Sequence, residues 1–125
     1  MARNPFVMSM AIVVLAACAS KPERFEPLEE ARAAVQSAAQ DPLVQQVASE
    51  HVQRARSALA AAERAHEEKK SRDEVAHLAY VAGRHAQIAN AFADEHRARE
   101  LVARGEAERN RVLLEARTLE ADRAT

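Results

Sequence analysis

The sequence predicts an all-α fold: an antiparallel helical hairpin or three-helix bundle with a long, partly projecting C-terminal helix. Three observations point there. Ala, Glu and Arg, all strong or fair helix formers, dominate the chain after Pro27, and its two glycines are isolated at Gly83 and Gly105. Apolar residues recur at three- and four-residue spacing rather than alternating, which argues for helices over strands. Helix-start chemistry falls at Pro27, at Asp41-Pro42 and at Ser71 to Glu74.

A first helix fits Pro27 to about Gln40, with proline at a tolerated first-turn position and Leu28, Ala31, Val35, Ala38 and Ala39 on one face. It should stop at Asp41, because a proline disfavours helical geometry in the residue before it. Asp41 then caps a second helix running from Pro42 to about Lys70. Its apolar arc holds Val44, Val47, Ala48, His51, Val52, Ala55, Ala58, Leu59, Ala62 and Ala65. Ser71 and Glu74 form a capping-box pattern for a third helix from Arg72 to about Asp122. Its broad face includes Val75, Leu78, Ala79, Ala82, His85, Ala86, Ala89, Phe92, Ala93 and His96, so Leu78 and Phe92 are expected core residues. The second helix is too short to cover the third beyond about residue 100. Domains are therefore expected at 27–100 for the hairpin or bundle and at 101–125 for an extension with only a broken apolar stripe through Val102, Val112 and Leu119.

Ahead of these helices, Met1–Pro5 carries one charged side chain, Arg3, and the twelve residues Phe6–Ala17 carry none. As a helix that run would span about 18 Å, short of the ~30 Å hydrocarbon core of a bilayer, so it reads as a secretory signal. It ends in Leu15-Ala16-Ala17-Cys18, which resembles the lipobox of bacterial lipoproteins. That resemblance implies that residues 1–17 are removed as a signal peptide, that Cys18 is lipidated, and that 18–26 is a tether to the membrane. Cys18 is the only cysteine, so no intrachain disulfide can form, and a thioether-linked lipid would occupy a thiol otherwise unpaired in an oxidising compartment. One acyl chain anchors only marginally, whereas the three implied by the resemblance hold firmly. The non-acidic Ala19 after the cysteine implies, by the same resemblance, the periplasmic face of the outer membrane.

Three strings in order, Asp41-Pro42, Glu74-Val75-Ala76-His77-Leu78-Ala79-Tyr80 and Val112-Leu113-Leu114-Glu115-Ala116-Arg117-Thr118, resemble an uncharacterised bacterial domain of unknown function. That domain occurs in periplasmic lipoproteins and often precedes an OmpA-type peptidoglycan-binding domain. The resemblance spans roughly Pro27 to Asp122 and implies an envelope role. Since the sequence stops at Thr125, no peptidoglycan-binding residues are carried over from the fused members.

The near-balanced charge, −1 formally, and the 3% aromatic content give no basic stripe with interleaved aromatics, so no nucleic-acid partner is expected. Five histidines raise the question of a metal, which needs three or four converging ligands. No two of them are spaced one helical turn apart; a turn near Ser71 could bring His66 and His77 closest, and these two are the metal candidates, although no metal site or cofactor is expected. His51, His85 and His96 read as packed interface histidines. No nucleophile, base and orienting group can be assembled, so the chain reads as non-enzymatic. The expected function is a lipid-anchored structural or adaptor module of the cell envelope, with an envelope protein or weak self-association through the C-terminal helix as partner. The alternative is a metal- or small-ligand-binding module using the histidines near the turn.

Overall fold

A computed structural model of the protein describes residues 24–125. Among the described residues there are three helices and no strands: α1 (Glu26–Gln40), α2 (Pro42–Glu67) and α3 (Arg72–Ala124). Each packs on the other two, the α2–α3 interface being the largest, so the bundle alternative holds. The core is made of small residues, as the stripes require: Leu28, Ala31, Val35 and Ala38 from α1, Val44, Ala48, Val52, Ala55 and Ala62 from α2, and five alanines from Ala79 to Ala93 on α3. Alanine lets backbones approach closely but removes little apolar area per residue, so the five larger buried side chains among the described residues, Leu28, Val35, Val44, Val52 and Val75, carry a disproportionate share of the burial. Every core residue lies between Leu28 and Ala93.

The helices run up, down and up. At one end the first residues of α1 meet the end of α2 and the start of α3: Phe25 stacks on His66 with ring centroids 6.2 Å apart, and the Arg72 guanidinium lies 5.1 Å above the Phe25 ring. At the other end Arg97 of α3 reaches Asp41 at the α1–α2 junction, with 2.5 Å between Nη2 and Oδ2. Midway, Arg32 of α1 bonds Glu63 of α2 at 2.7 Å.

Asp41 stops α1 and starts α2, as expected. Its backbone is extended, and its carboxylate accepts from the Leu43 and Val44 backbone N–H groups at 2.9 and 3.3 Å. Gln45 reaches back to the Ala39 carbonyl at 3.0 Å and satisfies one open acceptor at the end of α1. The Arg97 side chain, bonded to Asp41, holds that carboxyl below the ordinary aspartate range, and the two backbone donors act in the same direction. A carboxyl depressed on folding contributes stability above its unfolded value that is lost as pH falls through the folded value. The Asp41→Asn variant keeps a good cap but loses the ion pair. It should melt below the wild type at neutral pH, and the difference should close as pH falls from the ordinary aspartate value of about 4 through the depressed value of the folded carboxyl. Melting curves from pH 7 to pH 2 check this; a gap that stays constant would remove the Arg97 contact from the account.

α2 is not the uninterrupted Pro42–Lys70 helix expected. It kinks at Ala48 (φ −142°, ψ 31°) and ends at Glu67. Its end is a Schellman arrangement, with Lys70 N–H donating to Ala65 O at 2.9 Å and Lys69 N–H to His66 O at 3.1 Å. Lys69 therefore sits at the left-handed position (φ 54°) that glycine usually fills. A side chain there costs about 1 kcal/mol against glycine. Lys69→Gly is expected to raise the melting temperature by several degrees in a thermal scan; a lower one would mean that the lysine side chain contributes more than its backbone strain costs.

Ser71 opens α3 by accepting from the Glu74 N–H at 3.2 Å. At about 1.5 Å per residue α3 is roughly 80 Å long against roughly 39 Å for α2. Its last buried side chain is Ala93, its last half-buried one His96, and every residue from Arg97 to Thr125 is exposed. The helix continues unbroken through that stretch, so the projecting segment begins slightly before the boundary at 100 read from the sequence.

Candidate functional site

The lipobox Leu15-Ala16-Ala17-Cys18 lies outside the described residues, as does the tether up to Glu23. Its last residues do not behave as tether. Phe25 caps α1, accepting from the Leu28 and Glu29 N–H groups at 3.0 and 3.2 Å, and its ring packs on the core. The signal was legible: Phe25 is the one large apolar residue in the polar stretch from Ala19 to Glu26, directly ahead of the first helix.

Of the five histidines, none joins a site with converging ligands. His66 lies flat on Phe25, and His77 stands exposed on α3. Among the described residues no three His, Cys, Asp or Glu side chains come together to hold a metal ion. His51, His85 and His96 are half-buried, and His51 and His85 meet across the α2–α3 seam, as interface histidines should. The His51 ring is 5.9 Å from His85 and 5.4 Å from Phe92, and the Nδ1 atoms of all three histidines are buried without a protein hydrogen-bond partner. These rings serve as packing surface rather than as a polar relay.

Phe92 corrects an expectation. It is 44% exposed and covers His51 at the edge of the seam instead of filling the core, which at that level of α3 is Ala89 and Ala93. Backbones brought together by alanines leave no room between them for a phenylalanine, so the ring is displaced to the rim. Leu78 is partly buried against the core.

The largest unpartnered surface is α3 beyond the bundle. Leu101, Val102, Val112, Leu113, Leu114 and Leu119 are all between 46% and 68% exposed there. At about 100° per residue, all except Leu114 fall within about one third of the helix circumference. That strip is turned roughly 130° from the face α3 buries in the bundle, on the same count. Hence α1 and α2 could not cover it even if they were longer. The flanks hold their charges in pairs within the helix: Arg99 with Glu95 at 2.5 Å, Arg104 with Glu100 at 3.3 Å and Arg111 with Glu108 at 2.7 Å. Each such pair is worth about 0.2–0.5 kcal/mol, enough together to favour a continuous helix where no tertiary packing supports it.

Among the described residues no helix is long and apolar enough to cross a membrane. The chain matches no curated protein and no solved structure. A family model does match, over residues 26–105, which takes in the whole bundle and the first turns of the projecting helix. The chain belongs to the family described as Domain of unknown function (DUF4398).

Proposed function

We propose that this protein is a lipid-anchored, non-enzymatic structural or adaptor module of the bacterial cell envelope, presenting the free part of α3 to a partner. The observation that carries the reading is the projecting helix itself: about 40 Å of continuous helix with an apolar strip on one side and self-paired charges on its flanks. A helix in water does not need such a strip, whereas one that docks by its side does. The resemblance of Leu15–Cys18 to a lipobox supports lipid on Cys18 and attachment at the periplasmic side, with the outer membrane favoured by Ala19. The partner is an envelope protein or, more weakly, another copy of the chain.

Two measurements test the reading. Cells given radiolabelled palmitate should label the wild type and leave the Cys18→Ser variant unlabelled and uncleaved; equal label in both would end the lipoprotein assignment. Crosslinking in intact cells from positions on the apolar strip, such as Val112, should trap a discrete product, whereas crosslinking from Arg104 on the opposite flank should not. The same product from both positions would mean that the strip does not select the partner.

A further inference from the structure

We propose that the end of the bundle where α2 turns into α3 is a docking face for the anionic phosphate groups of membrane lipids. It acts beside the anchor on Cys18, and the proposal rests on that anchoring reading for its location. A groove of about 240 Å³ opens at this end, lined by Phe25, His66, Lys69, Lys70, Arg72 and Val75. Four of the six carry basic groups, the other two are apolar, and no carboxylate is among them. The carboxylates nearest in sequence, Glu67, Glu68, Asp73 and Glu74, are exposed outside this lining, and Glu68 stands 4.0 Å from Lys70 Nζ. The Arg72 guanidinium is set over the Phe25 ring. An arrangement of cations around an aromatic and an aliphatic side chain suits a ligand that joins a negative group to an apolar stem, as a phospholipid does at its interface.

Position supplies the second argument. Phe25, which lines the groove, is also where the chain enters the fold, and it is seven residues from Cys18. Seven residues reach at most about 25 Å fully extended, so a lipid on Cys18 keeps this end of the bundle, and no other, close to the membrane surface. The tip of α3 lies some 80 Å away along the helix and faces outward. Lys69 and Lys70 are both exposed and take no part in the core, and the one ion pair either makes among the described residues, Lys70 with the exposed Glu68 at 4.0 Å, is loose enough for both lysines to turn to a surface brought this close.

The test uses the chain from residue 18 onward with Cys18→Ser, which retains every core residue and carries no lipid. It should co-sediment with vesicles containing phosphatidylglycerol, much less with pure phosphatidylcholine, and come off as salt is raised. Each Lys or Arg near an anionic surface is worth about a fivefold change in binding. Lys69→Gln with Lys70→Gln should therefore weaken vesicle binding by roughly 25-fold. Arg109→Gln with Arg111→Gln, an equal loss of charge on the projecting helix, should leave it unchanged. Equal losses in the two double variants, or equal binding to both kinds of vesicle, would overturn the proposal. So would inorganic phosphate shifting the His66 ring proton resonances in a chain that ignores vesicles, since the groove would then take a free anion. Because this chain has no lipid, its failure to bind condemns the docking face alone, whereas missing palmitate on the wild type condemns the anchor alone.

Discussion

Replacing Leu28 with alanine is expected to lower the melting temperature by more than ten degrees. Leu28 is 1% exposed and is the only buried leucine among the described residues, most of whose buried positions are alanines with little area to contribute. It sits in the first turn of α1, where the three helices come together near the α2–α3 turn. Removing its branched end leaves a cavity that neighbours as small as Ala31 cannot fill. Leucine-to-alanine changes of this kind cost about 2–5 kcal/mol. A domain of under 100 packed residues shifts by about 4–8 °C for each kcal/mol. The matching control is Leu101→Ala, the same chemical change at a 67% exposed site, which should stay within about 0.5 kcal/mol of the wild type. Thermal scans by circular dichroism of the two variants decide the matter. If Leu28→Ala melts with the wild type, α1 is not an integral part of the core and the fold is a two-helix hairpin carrying a loosely attached helix.

Deleting residues 101–125 is expected to abolish partner capture completely while leaving the bundle's melting temperature unchanged. All the core residues precede the deletion, as does Arg97, whose contact with Asp41 closes the far end of the bundle. The deletion removes Leu101, Val102, Val112, Leu113 and Leu119, hence all of the apolar strip. Loss of helical signal in proportion to the residues removed, with an unchanged unfolding transition, is the expected spectroscopic result. Sedimentation and crosslinking of the full and shortened chains supply the rest. A shortened chain that unfolds would place the segment in the core; one that still captures its partner would leave the projecting helix as a solvated extension.

Much of this fold could be read from the sequence because its signals are local. Asp41-Pro42 stops one helix and caps the next by backbone sterics and one carboxylate, and Ser71 with Glu74 does so again; neither depends on tertiary context. The arcs of α1 and α2 emerged from the same counting, since a residue's angle round a helix follows from its number. What counting could not supply is the distance between helices. Phe92 shares an arc with Ala89 and Ala93, but only the closeness of the α2 backbone shows that a ring does not fit there and must lie over His51. Contacts between distant residues were hidden for a related reason. Arg97 with Asp41 and Arg32 with Glu63 join positions whose proximity follows from the packing, and nothing in the spacing of one arginine among many marks the one that will find such a partner. The projecting helix was anticipated from lengths alone, whereas the groove beside Phe25 required knowing that the residue before the first helix folds back onto the last turn of the second.

Eleven of the sixteen buried residues among those described are alanine, including five of the six on α3, and this has a consequence for how the chain can vary. A single nucleotide change converts an alanine codon into one for Gly, Val, Thr, Ser, Pro, Asp or Glu. Only the first of these makes the residue smaller, and it costs about 1 kcal/mol of helix preference. Every other route adds atoms where two backbones already touch, or brings in a charge or a helix breaker. The inner face of α3 is thus closed to gradual change, because there is no small step away from alanine that the interface accepts. Its outward strip beyond the bundle is under no such internal constraint, since no neighbouring helix meets the side chains there. One helix therefore carries two kinds of internal constraint along its length, with the change falling near Arg97.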